Sequence, residues 1–288
     1  MKIFEMRRLG PGGAIDLIKA YVGEKLMHRE LVGDQKKLIA YFNILVNYDL
    51  YHREDKGNYT VMHSAEHGDV AMRKPFCSDP TVYRQIYSDE EYGLLASLIR
   101  KHVSSGDVTM IDGGANIGLT SIYLQEKLRD THRLLSVLVE PDSENVAMIK
   151  RNLLLQGIDH FHIEQAGLYN RSCFLSIVND FRDGLEWSIQ VVESEKPTEL
   201  RAVEVAGLAV KYGWARIDVL KMDIEGAERF LLNDEDYARG FLQKVHILAV
   251  ELHDEYVDRG KILSMLERIG FQLSVSGELH IGVNSHLS

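Results

Sequence analysis

The chain has 288 residues, 45% of them hydrophobic, enough to bury the core of one large domain or of one domain with an appended piece. Acidic residues outnumber basic ones 43 to 33, a formal charge of −10, and no Lys/Arg cluster supplies the basic face of a nucleic-acid binder. Cys77 and Cys173 are the only cysteines, which argues against a disulfide framework or a thiolate metal site, and no stretch approaches the ~20 apolar residues of a membrane span. With no signal-peptide pattern at the start, the expectation is a soluble, cytoplasmic protein with neither nucleic acid nor membrane as partner.

Taken in chain order, residues 14–31 place Ile15, Ile18, Val22 and Leu26 at three- and four-residue steps, which predicts an amphipathic helix. A second helix is predicted over 34–51, with Leu38, Phe42 and Leu45 on one face and Asp34 as its cap. These stripes demand a partner surface, either a cap over the site or a homodimer contact. Residues 58–73 read as two short strands around a turn. The texture changes near residue 88, so residues 1–87 are assigned to an N-terminal extension and 88–288 to the main domain. A helix over 90–103 precedes alternating strands and helices. The strands are 108–112, 134–140, 160–167, 217–223 and 245–253; the helices are 118–130, 143–157, 227–235 and 258–270. Such alternation means βαβ units. "FQLSVSGELHIGV" (271–283) reads as a closing antiparallel hairpin. The predicted architecture is a doubly wound α/β fold with a mostly parallel seven-stranded sheet, one reversed strand near its edge, and an N-terminal helical extension.

In an open α/β sheet ligands sit beyond the carboxyl ends of the strands. That rim carries Asp112, Glu140, Asp223 and the Glu251/His253 pair. The turn "DGGANIG" (112–118) is neither G-x-G-x-x-G nor a Walker loop. Gly113 and Gly114 permit close backbone approach, Asn116 lies within the turn, and Gly118 lets the following helix pack. A carboxylate at Asp112 repels a pyrophosphate and suits a cationic ligand, while Glu140 is placed to accept both hydrogen bonds of a ribose diol. A ligand with a ribose, an ammonium and no phosphate is S-adenosylmethionine.

"VLKMDIEGAERFLL" (219–232) sets Lys221, Asp223 and Glu225 at alternate positions, which by strand periodicity point the same way. Three charges on one face at a strand end are costly to bury without partners, so a functional site explains them better than packing does.

"MIDGGANIGLTSIYL", "VEPDSENVAMIKRNL", "VLKMDIEGAE" and "LAVELH", in this order and spacing, resemble the FkbM-type S-adenosylmethionine-dependent methyltransferase family over about residues 70–275. The resemblance implies a class I methyltransferase (Rossmann-like) fold and methyl transfer to a hydroxyl of a natural product, sugar or related metabolite. It also implies that adenine lies near Gln165 and Ala166. Gly-Gly-Ala stands where many relatives place a β-branched residue before the second glycine.

An alkyl hydroxyl has a pKa of about 15–16, so its proton must be taken as the bond forms. His253 is the expected general base, oriented by Glu251 two residues earlier. Asp223 and Glu225 compete for that role, or organise the cofactor and acceptor ends of the site. They are also possible oxygen ligands for Mg²⁺, but with no third ligand identifiable no metal is assigned. Residues 179–190, with Trp187, are a candidate acceptor lid. The competing functional readings are an N-methyltransferase and a non-catalytic S-adenosylmethionine-binding regulator.

Overall fold

The computed structural model describes residues 8–25, 33–73, 77–178 and 190–287. Leu26 of the first predicted stripe and the stretch 179–189 with Trp187 lie outside them. The described residues form two compact units, one from Met1–Asp89 with Arg151–Gly157 and one from Glu90–Lys150 with Ile158–Ser288. No helix among the described residues is long and apolar enough to cross a membrane.

In the first unit, α1 (Gly10–Lys25) and α2 (Gly33–Asn47) pack through Leu17, Leu38 and Phe42. The α2 face is the predicted one, with Leu38, Phe42 and Leu45 all buried. The α1 face is not: Ile15 and Ile18 are about half exposed, while Leu17 and Ala20 are sealed. Two overlapping apolar stripes run along this helix, and periodicity alone cannot choose between them. A three-stranded antiparallel meander follows, formed by β1 (Leu50–Asp55), β2 (Tyr59–Ser64) and β3 (Gly68–Arg73). The two predicted strands are β2 and β3; β1, "LYHRED", is an edge strand with three exposed charged residues at its end and carries no apolar alternation. α3 (Asp79–Tyr83) then widens into a π turn over Arg84–Ser88. Asp79 is fully buried and both its oxygens are taken by Arg73, from the guanidinium and the backbone N–H.

In the second unit, α4 (Gly93–His102) leads into β4 (Gly106–Gly113), α5 (Leu119–Leu128), β5 (His132–Val139), α6 (Ser143–Leu155, whose residues from Arg151 onward count with the first unit) and β6 (His162–Glu164). Next come β7 (Ala166–Leu168), β8 (Leu175–Val178), β9 (Gln190–Glu193), β10 (Arg201–Val203) and α7 (Val205–Lys211). The chain ends with β11 (Ile217–Met222), α8 (Glu228–Leu232), α9 (Glu235–Leu242), β12 (Val245–Glu251), α10 (Arg259–Ile269), β13 (Phe271–Ser276) and β14 (Leu279–Asn284). The segment 160–167, expected as one strand, is split at Gln165: β6 joins the main sheet, whereas β7 pairs in parallel with β10.

The main sheet has seven strands in the order β13-β14-β12-β11-β4-β5-β6. All pairs from β12 to β6 are parallel, and β14 alone runs in reverse, wedged between β12 and β13. The expected doubly wound architecture is present. Strands covered on both faces read as near-continuous apolar runs. Every residue of β11 is buried, including Asp218, whose carboxylate accepts from the Thr109 N–H and hydroxyl on β4. Each fully buried aliphatic side chain here contributes about 1.5–3 kcal/mol. Side-chain caps fix the C-terminal helices: Asp234 accepts from the N–H groups of Asp236 and Tyr237, and Asp258 from that of Lys261. The chain lays down β4, moves outward to β5 and β6, then returns to place β11 on the other side of β4. The resulting switch point between β4 and β11 is where such sheets open a crevice.

Candidate active site

At the switch point the ends of β4 and β11 touch. Asp112 and Lys221 are register partners, as are Gly113 and Met222. Gly114, with φ +71°, sits so close to β11 that a Cβ there would lie 1.8 Å from the Asp223 carbonyl oxygen. At Gly113 a Cβ would lie 2.3 Å from Leu168. Gly114 therefore admits no side chain, while at Gly113 the end of the Leu168 side chain would have to move, and the result is a bare backbone ledge. Gly118, with φ +85°, caps α5.

Lys221 is 2% exposed yet charged, and it is fully used. Its Nζ donates to the Gly114 carbonyl at 2.7 Å and lies 3.2 Å from Asp112 Oδ1 and 3.7 Å from Asp223 Oδ2. Burial disfavours this ammonium, but Tyr92, Asp112 and Asp223 outweigh it and hold its pKa above the ordinary lysine value. Asp112 itself is wholly buried; its Oδ2 accepts from the Ser121 hydroxyl at 2.7 Å. Here the sequence expectation needs correcting. Asp112 does not present a free charge to a cationic ligand, because Lys221 already neutralises it. Its part is to anchor the lysine that pins the turn.

Glu140, at the end of β5, is also buried. Its Oε1 accepts from the Asp142 N–H and the Asn145 amide, and its Oε2 from the Asn116 N–H at 2.8 Å. A carboxylate offers about four acceptor sites, so one remains, on Oε2. The expected grip on both hydroxyls of a ribose therefore reduces to one hydrogen bond, unless an internal one is given up. Burial pushes the Glu140 carboxyl up to about 7, against the amides that favour its charged form. Asn116, at φ +50°, carries a buried Oδ1 with no hydrogen-bond partner among the described residues. The adjacent β6 end places Gln165 at the surface. The Ala166 N–H is already spent on the Glu140 carbonyl, leaving the Gln165 side chain as the polar group open to an adenine.

The second constellation divides in two. β11 ends at Met222, and Glu225 (φ +50°) and Gly226 (φ +86°) form a left-handed turn before α8. Lys221, Asp223 and Glu225 thus do not share a strand face: Asp223 stays beside Lys221, and Glu225 swings to His253. A Cβ at Gly226 would strike the ring of Tyr256 at 2.5 Å, which fixes the glycine there.

His253 is 2% exposed and enclosed by acids. Its Nε2 lies 3.5 Å from both Glu225 Oε2 and Glu251 Oε1. Its Nδ1 is 3.2 Å from Glu228 Oε1, close enough for charge pairing though not aligned as a hydrogen bond. Burial alone lowers the imidazole pKa, but Glu225, Glu228 and Glu251 carry it to about 11. With its ring 2% exposed and turned to these carboxylates, His253 is placed to pair with them, which does not favour the expected part of general base. Glu251 keeps a 22% exposed side chain and Asp223 a 30% exposed one, so these carboxylates face the rim. Burial first, then repulsion from Asp223, raises the Glu251 carboxyl to about 8.

Three contributors escaped the sequence reading. Tyr92 is buried beside Lys221 and Asp223, and its phenol is held above its usual pKa by that burial. Ser121 binds Asp112, and Glu228 pairs with His253 while its Oε1 accepts the Ile224 N–H. Glu228 lay within the quoted "DIEGAE" motif, where an acid at a helix start has an ordinary explanation; nothing local marked Tyr92 or Ser121.

The donor set suits an S-adenosylmethionine-like ligand: a ledge free of side chains, a buried acceptor site on Glu140, an unsatisfied Asn116 oxygen, and carboxylates on the rim beyond. Residues 112–273, more than half of the chain, match the Methyltransferase FkbM domain family. A curated relative, Methyltransferase 1 of Beauveria bassiana, is 24% identical over 191 residues, covering 59% of this chain and 74% of that protein. Among solved structures, the methyltransferase FkbM from Methylobacillus flagellatus KT aligns with a TM-score of 0.40 at 16% identity, over 62% of this chain and 43% of that one. The present chain thus spans less than half the length of that protein. Precorrin-6y C5,15-methyltransferase from Geobacter metallireducens GS-15 aligns with a TM-score of 0.39 at 13% identity, over 68% and 88% of the two chains.

Proposed function

Because the chain belongs to the FkbM methyltransferase domain family, we propose that it moves a methyl group from S-adenosylmethionine to a hydroxyl oxygen of a small natural-product, sugar or related metabolite. The observation that carries the cofactor reading is the glycine ledge closed against Asp223, with the buried Glu140 one strand away. Gly113 and Gly114 let the ligand approach the backbone, Glu140 and Asn116 hold its sugar, and Gln165 meets its base. The acidic rim of Asp223 and Glu251 favours a cationic donor. When bound, that donor supplies a methyl group on a positively charged sulfur.

The residues of this chain orient the partners, since in-line displacement gains most of its rate from alignment. Oxygen as the receiving atom is supported by the rim carboxylates, which are proton acceptors suited to a hydroxyl. The test is incubation of the purified chain with methyl-deuterated S-adenosylmethionine and a panel of hydroxylated and aminated metabolites, read by mass spectrometry. Label in an O-methyl group is expected; label on nitrogen, or none in any compound, contradicts the reading.

A further inference from the structure

The rim runs from Glu164 on β6 and Glu140 on β5, through the ledge at β4, to Asp223 after β11 and Glu251 ending β12. With the sugar held at β5, the reacting end of the donor lies on the far side of β4, toward β11 and β12. Neighbouring strands are about 4.8 Å apart, so Glu251 stands roughly 10 Å along the rim from the ledge, level with Asp223. His253 is sealed behind it and reaches no acceptor. Asp223 is drawn toward Lys221 at 3.7 Å, while Glu251 leans on His253 at 3.5 Å.

Resting on the methyltransferase reading above, we propose that Glu251 takes the acceptor's proton and that His253 is a positioning residue, an imidazolium holding Glu251, Glu225 and Glu228 in place. The acceptor O–H bond breaks toward a Glu251 oxygen as the acceptor oxygen forms its new bond to the methyl carbon. The carbon–sulfur bond breaks with its electron pair left on sulfur, giving a neutral thioether, and Glu251 then passes the proton to solvent at its exposed edge. The groups facing Glu251 are Asp223 from β11, Glu225 from the turn before α8, Glu278 from the β13–β14 turn, and His253 from its own strand end. Three repel its charge and one attracts it, which together with burial leaves Glu251 at about 8, where it binds and releases a proton near neutral pH.

Sinefungin carries an ammonium where the donor carries its sulfonium methyl, so it probes this carboxylate without an acceptor. Calorimetric titrations of sinefungin and of S-adenosylhomocysteine are run at pH 7 in two buffers of different ionisation enthalpy, to count protons. In the unaltered protein sinefungin is expected to release most of one proton, and S-adenosylhomocysteine few. Glu251→Gln should abolish the release and weaken sinefungin about tenfold while changing S-adenosylhomocysteine affinity less than about threefold, as expected for one charge contact. That unchanged affinity also reports an intact fold; Glu251→Asp, which withdraws the charge by one methylene, should fall between. His253→Gln should move the pH of half-maximal proton release upward by about one unit or more, a shift that a merely structural histidine would not produce. If both ligands bind and Glu251→Gln leaves release and affinity ratio unchanged, the assignment of Glu251 is overturned while the cofactor reading stands. If neither ligand binds the unaltered protein, both are overturned.

Discussion

The His253 imidazole and the carboxylates around it balance charge in a space that water barely enters. One cation lies against the carboxylates of Glu225 and Glu228, and removing one member of a buried charge set leaves the others uncompensated. His253→Gln is therefore expected to cost about 3 kcal/mol or more of stability at pH 7 in urea denaturation. The folded pKa of about 11 lies above the unfolded value of 6.5, so the His253 contribution is complete below pH 6.5 and is lost as pH rises toward 11. Glu251, raised from 4.5 to about 8, has the same sign: its ionised form costs stability as pH climbs through that range. The deficit should therefore persist at pH 5 and shrink as pH is raised toward 10. A deficit under about 1 kcal/mol at pH 7 would show that the acids are screened by something other than the imidazolium.

Among the elements, the β4–β11 pair organises the site. Their register brings Asp112 against Lys221, and the lysine in turn pins the Gly114 carbonyl. Lys221→Met should destabilise by about 3–5 kcal/mol because it strands the Asp112 carboxylate in the core, and adding Asp112→Asn should recover a large part of that loss. Additive losses in the double variant, measured by chemical denaturation, would remove the coupling. The strands themselves were readable from the sequence, since an apolar run ending in an acid and glycines is what a buried parallel strand and its turn require. Charge partnership was not readable: an acid at a strand end suits a ligand contact, and only the register of β4 with β11 gives Asp112 to Lys221. Nor was the left-handed turn at Glu225, which takes that residue off the strand face and gives it to His253. The phase of α1 was likewise ambiguous, because Ile15 and Leu17 both belong to plausible apolar stripes and only the packing of Leu17 against Leu38 and Phe42 decides.

For the whole molecule, the strand order determines what the site can be. Starting the sheet at its centre and reversing direction between β4 and β11 puts the glycine ledge, the Glu140 acceptor and the acidic rim on one crevice. Side chains contributed by β4, β5, β11 and β12, far apart in sequence, thereby come to one rim, where the proposed ligand would meet them. The most direct measurement is calorimetric titration of S-adenosylhomocysteine into the purified chain. Saturable uptake of one molecule per chain, lost in Gly114→Ala because the added methyl meets the Asp223 carbonyl, is the predicted result. No uptake by a chain shown to be folded, or equal uptake by Gly114→Ala, would contradict the account.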